Sequence, residues 1–183
     1  MLTYINTIDQ TILFFIQGFH YPVLDKIMII ATSWGNMGFI WLAMAGIMTS
    51  NKKTRSIGLI TLATLILGAI VSEGILKHLI QRPRPYTDFP SIQMLVDKVT
   101  SYSFPSGYAT SSFAAAYVLS RYLKKYAPVF WTMACAIAFS RIYLFMHYPT
   151  DIVAGIILGL LCGKTVSYLY EKKFNNQPLP RIG

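Results

Sequence analysis

Three short stretches hold residues suited to handling a phosphate. "KHLIQRPRP" (77–85) carries Lys77 and Arg84 seven residues apart, about two helical turns and therefore one side if the helix persists. Pro83 and Pro85 are positioned to end that helix, so Arg84 is expected to reach in from the loop. "PSGY" (105–108) puts Ser106 and Gly107 at the start of a long apolar run, where a hydroxyl and the free N–H groups of a helix N-terminus make an anion site. "SRIYLFMHYPTD" (140–151) adds Arg141, whose planar fork suits phosphate oxygens, and places His147 four residues before Asp151. An aspartate near an imidazole holds the proton of one ring nitrogen and leaves the other free to attack.

Each stretch also has a plainer reading. Lys77 and Arg84 alone are interfacial anchors, Pro-Ser-Gly alone is a helix start, and His147 with Asp151 is a headgroup-level histidine beside a first-turn charge. Together they supply fixed cations, backbone donors, a nucleophile and its orienter, which is the set that phosphoryl transfer requires. Carboxylates at metal-ligand spacing do not appear, so no metal and no cofactor is expected.

The elements that must bring these stretches together are membrane helices. The chain has 183 residues, 54% hydrophobic and 13% charged, with a mean hydropathy of +0.48. A soluble domain of this size would carry more surface charge. Its apolar residues come in long runs rather than stripes, so the sequence predicts an all-α, polytopic transmembrane bundle with an N-terminal interfacial helix. Four or five spans are expected: 56–80, 106–124, 128–146, 149–170, and a short 37–50 that either continues back through 23–34 or leaves that stretch as a partial helix. Residues 5–19 read as the interfacial helix, with Asp9, Gln10 and Gln17 toward the headgroups. The segment 82–105, with prolines at 83, 85, 90 and 105, reads as a polar, irregular active-site loop. One domain covers 1–183: interfacial or partial helices to 35, a transmembrane core over 36–171 and a cytoplasmic tail over 172–183.

The net charge of +9 sits in short clusters between apolar runs, which points to topology and anionic lipids rather than to nucleic acid. Lys52, Lys53 and Arg55, then Arg121, Lys124 and Lys125, then Lys172, Lys173 and Arg181 fall on one face, assigned to the cytoplasm. The three polar stretches then converge on the opposite, extracytoplasmic face. Glu73, one turn before Lys77, is expected to orient it. Gly155, Gly159 and Gly163 form a packing stripe. Cys135 and Cys162 read as small core residues, the three tryptophans as interfacial or packing groups, and Asp88 and Asp97 as solvated loop charges. No cleavable leader is visible in the first twenty residues.

The joint pattern Lys77…Arg84-Pro85, Pro105-Ser106-Gly107-Tyr108 and Ser140-Arg141…His147…Asp151 resembles the type 2 phosphatidic acid phosphatase family of membrane enzymes. The resemblance runs from about residue 56 to the end. It implies a metal-free helical lipid phosphatase in which His147 becomes a phosphohistidine, Asp151 orients it, and Lys77, Arg84, Ser106, Gly107 and Arg141 bind phosphate. Small bacterial members are often undecaprenyl-diphosphate phosphatases, so the expected partner is a membrane lipid phosphate. The alternatives are a phosphatidate or phosphatidylglycerophosphate phosphatase, or a lipid-phosphate binder without catalysis.

One position departs from the pattern. Tyr108 stands where the family has the histidine that protonates the leaving group. A phenol titrates near 10 and an imidazole near 6.5, so Tyr108 is the poorer acid at neutral pH. His78 is a conceivable substitute, but it lies about 100° around the helix from Lys77.

Overall fold

The structure is a computed structural model that describes residues 2–174. The chain runs α1 (Leu2–Gln17), α2 (Pro22–Gly35), α3 (Phe39–Ser50), α4 (Arg55–Ala69), a π-helical stretch Ile70–Leu76, α5 (Lys77–Ile80), α6 (Pro85–Asp88), α7 (Gly107–Tyr122), α8 (Ala127–Tyr143) and α9 (Pro149–Lys173). It is an all-helical membrane protein. The run Arg55–Asp88 and α9 are each long and apolar enough to cross a membrane, and α2 with α3, bent by 47° at the 36–38 break, make a third candidate.

Two of the expected spans fall short. α7 and α8 have 16 and 17 residues, about 24–26 Å at 1.5 Å per residue, against a hydrocarbon core of about 30 Å. α7 starts and α8 stops at the polar site, and a helix that abuts a polar cavity needs no lipid-facing turns there.

The core lies where α7 passes between α4, α8 and α9. Ala109, Ala114, Ala115, Ala116 and Val118 on α7 are fully buried. α9 comes so close that a Cβ at Gly155 would lie 2.6 Å from the Ser106 carbonyl oxygen, and one at Gly159 would strike the Thr110 carbonyl. At Gly155 and Gly159 the stripe is therefore a close approach to the α7 backbone, while Gly163 packs on the Tyr117 side chain, and the first two lock the start of α9 against the start of α7.

Several expectations need correction. Asp9 does not face headgroups; it is fully buried, while Ile8, Ile12, Phe14 and Phe15 of α1 point outward. In lipid the surroundings are apolar, so the acid turns inward to find partners and the hydrophobic face turns out. Gln17 likewise turns in and donates to the Tyr143 carbonyl at 3.0 Å. Cys162 is buried as expected, but Cys135 is exposed. Trp41 is a packing group, fully buried with its indole N–H on Ser112 at 3.0 Å. Trp34 is half exposed. Asp97 is exposed as expected, whereas the exposed Asp88 also accepts from the Tyr148 hydroxyl at 2.6 Å. Most of the expected tail, including Arg181, lies outside the described residues.

Candidate active site

The α8–α9 connection builds the centre. Phe145 takes a left-handed φ of 58°, and the N–H groups of Met146 and His147 both turn back onto the Arg141 carbonyl, at 2.9 and 3.2 Å. That reversal carries His147 inward until it is 1% exposed. Pro149 opens α9 at its first position, as the sequence implies, and Asp151 caps the helix by accepting the Tyr148 N–H at 2.9 Å.

His147 and Asp151 face each other, but not alone. Nδ1 of His147 is 3.6 Å from Asp151 Oδ2. Ser103 Oγ lies between, 3.4 Å from Nδ1 and donating to the same carboxylate oxygen at 2.5 Å. On the far side of the ring, Arg84 Nη1 is 3.2 Å from Nε2. Burial, ahead of the opposing pull of Asp151, holds the His147 imidazole below its ordinary pKa, so the ring is neutral.

The cations approach from three elements. α5 ends at Ile80, with Gln81 in the left-handed region, and Arg84 reaches back from the loop as expected. Its guanidinium also donates to the carbonyls of Ser101 (2.6 Å) and Met146 (3.0 Å) and to Ser101 Oγ (2.9 Å). Lys77 Nζ pairs with Glu73 at 2.8 Å, the expected partner. Arg141 donates to Thr32 Oγ1 at 2.5 Å, and its buried Nε has no partner among the described residues.

Lys77, Arg84, Gly107, Tyr108, Arg141 and His147 line one cavity of about 510 Å³, whose other wall includes Leu42, Leu65, Ile66 and Ala69. Three cations and a helix start thus meet a neutral imidazole at one end of an apolar slot. Ser106 and Asp151 are fully buried and not among the lining residues. The Ser106 hydroxyl caps α7 by accepting the Ala109 N–H at 3.4 Å, and its own N–H donates to the Asp151 carbonyl at 3.1 Å. His78 is exposed and not among the lining residues.

A profile of the PAP2 superfamily matches residues 57–175. The chain belongs to the PAP2 superfamily. It is 28% identical over 160 residues to an undecaprenyl-diphosphatase of Sulfolobus acidocaldarius, covering 87% of this chain and 75% of that protein. It is 40% identical over 102 residues to a decaprenylphosphoryl-5-phosphoribose phosphatase of Mycobacterium tuberculosis, covering 54% of this chain and 55% of that one. The crystal structure of a transmembrane PAP2-type phosphatidylglycerolphosphate phosphatase from Bacillus subtilis superposes with a TM-score of 0.78 at 26% identity, over 95% of this chain and 90% of the other. This PAP2 protein is accordingly a lipid phosphatase, a membrane hydrolase.

Within the PAP2 frame, Tyr108 is built in rather than merely left over. Its ring stacks on the Arg141 guanidinium, 3.9 Å from Cζ, and its hydroxyl donates to Asn36 Oδ1 at 3.2 Å. Gly35 makes the room, since a Cβ there would lie 2.7 Å from the ring. The sequence reading missed Ser103, Thr32 and, above all, Arg82. Arg82 donates to Asp151 Oδ1 at 2.7 Å and to Asp9 at 2.7 Å. Two arginines flank Pro83, and spacing alone does not say which faces the cavity. An acid inside an apolar run was the available signal that Asp9 needed a buried cation.

Proposed function

We propose that the chain hydrolyses a polyprenyl diphosphate, undecaprenyl diphosphate by preference, through a phosphohistidine on His147 at the extracytoplasmic face. Tyr108 is the observation that carries the substrate choice. A tyrosine is a weak acid at neutral pH, and this one is already committed to Asn36. An alkoxide leaving a phosphate monoester needs a proton. A lipid phosphate leaving a diphosphate has a second pKa near 6 and departs as an anion.

In this reading Lys77, Arg84 and Arg141, with the N–H groups at Gly107 and the start of α7, hold the terminal phosphate. Ser106 supports that helix start. Nε2 of His147 attacks phosphorus, the bond to the bridging oxygen breaks, and undecaprenyl phosphate leaves with the electron pair. The ring, protonated on Nδ1, then carries a positive charge that Asp151 balances. Water attacks phosphorus, the P–N pair returns to Nε2, and inorganic phosphate leaves with the water oxygen, its protons shared between phosphate and solvent. Leu42, Leu65, Ile66 and Ala69 offer an apolar wall to the lipid chain. The described basic clusters lie at the helix ends away from the site, where Arg121 pairs with Glu171, so the positive-inside rule supports an outward site.

The test is phosphate release by the purified protein from undecaprenyl diphosphate, decaprenylphosphoryl-5-phosphoribose, phosphatidylglycerophosphate and phosphatidate under matched conditions. The diphosphate should give the highest kcat/KM. A higher value on any of the monoesters would reverse the assignment.

A further inference from the structure

We propose that Asp9 and Arg82 are positioning residues for Asp151, so that α1 is part of the catalytic machinery rather than only an anchor. The proposal rests on the reading of His147 as nucleophile and Asp151 as its orienter. Asp9 is fully buried in an otherwise apolar helix, and every bond it makes leads to the site. Its Oδ1 accepts the Thr150 N–H at 2.9 Å, and its Oδ2 accepts the Thr150 hydroxyl at 2.5 Å and Arg82 Nη2 at 2.7 Å. Arg82 Nη1 donates to Thr150 Oγ1 at 2.8 Å and to Asp151 Oδ1 at 2.7 Å, and its guanidinium sits 4.1 Å over the Tyr148 ring. Thr150 and Asp151 are the second and third residues of α9, so one fork clamps the turn that presents the carboxylate.

The charge order explains why both residues are needed. A chain of alternating charge runs Asp9, Arg82, Asp151, and then the imidazole, which becomes positive when it takes the phosphoryl group. Arg82 fixes Asp151 but also opposes the cation forming on His147. Asp9 neutralises Arg82, so the charge of Asp151 remains available to the ring. Without Arg82, two carboxylates are left with no cation between them. Lysine does not replace the fork, because one ammonium cannot present two parallel N–H groups to two carboxylates.

The discriminating experiment uses the full-length protein in vesicles, with undecaprenyl diphosphate and phosphatidylglycerophosphate as separate probes. Asp9→Asn, Arg82→Lys and the double variant are compared, with Leu13→Ala as the control. Leu13 is fully buried on α1 outside the charge network, so its truncation loosens α1 without touching Arg82. Each single variant should lose about 10–100-fold in kcat, as supporting partners of active-site ligands typically do, with KM nearly unchanged. The double variant should be no worse than the worse single, because both act through one carboxylate. Leu13→Ala should lower the melting temperature and leave kcat within about twofold. The proposal is overturned if the single variants keep native kcat, if their losses multiply in the double, or if Leu13→Ala loses as much kcat at the same melting temperature. Arg82→Lys decides the matter should Asp9→Asn not fold. Persistent phosphohistidine in His147→Ala would instead remove the underlying reading.

Discussion

Arg84 Nη1 lies 3.2 Å from Nε2 of His147. A guanidinium only donates, so Nε2 must offer its lone pair and the ring proton must sit on Nδ1. Nδ1 faces Ser103 Oγ, which passes its own hydrogen to Asp151. The neutral ring therefore rests in the tautomer that the proposed nucleophile needs, with Arg84 across Nε2. In the mechanism proposed above, an arriving phosphate would take over that guanidinium and uncover Nε2 in the same movement.

Arg84→Lys should then cost about a hundredfold or more in kcat/KM, the scale of removing one preorganised charge-stabilising donor. A lysine cannot hold the Ser101 and Met146 carbonyls while also meeting the phosphate. Steady-state phosphate release measures the loss, and a change under threefold would show that Arg84 is not at the reacting group.

Tyr108→His should restore leaving-group protonation selectively. General acids contribute about 10²–10⁴-fold, so turnover of phosphatidylglycerophosphate should rise far more than that of undecaprenyl diphosphate. Equal factors on both lipids would break the link between Tyr108 and the leaving group. Histidine also forfeits the bond to Asn36, so an asparagine-directed variant, Asn36→Ala, separates that contribution.

Gly107→Ala should lower activity by displacing Glu73. A Cβ at Gly107 would collide with the Glu73 carboxylate, which pairs with Lys77 at 2.8 Å. Gly46→Ala is the matched control, since a Cβ there meets nothing within 4 Å. Comparable losses from the two substitutions would mean that the Glu73–Lys77 pair is not involved.

Burial holds His147 below its ordinary pKa, so the unfolded chain binds its proton at a higher pH than the folded one. Stability from this group is fully present above the unfolded value, near 6.5, and declines as pH falls below it. The melting temperature of native protein should fall between pH 7.5 and 5.5 more steeply than that of His147→Gln. Parallel slopes would mean that His147 is not desolvated.

The chemistry was more legible in the sequence than its support. Lys77, Arg84, Gly107, Arg141 and His147 meet at one cavity because helix ends fix them at motif spacings, which a sequence displays directly. The Glu73–Lys77 pair was readable for the same reason, being one turn apart. Ser106 was read as a phosphate contact, yet its hydroxyl caps α7, because a serine before a helix satisfies the nearest free N–H first. Arg82 and Ser103 are not legible from local spacing, and Asp9 reads there only as a headgroup-facing residue. Their bonds span 73, 69 and 48 residues, and no local spacing encodes a partner so remote. The facing of α1 differs from the sequence expectation because Asp9 and Gln17, expected toward the headgroups, find hydrogen-bond partners inside the protein instead.

The central claim is a phosphohistidine on His147. Undecaprenyl diphosphate labelled with ³²P in its terminal phosphate, mixed with native protein and quenched within one turnover, should leave acid-labile, base-stable label on the peptide containing His147, and none in His147→Ala. Turnover without label on that peptide, or label that survives in His147→Ala, would contradict the account.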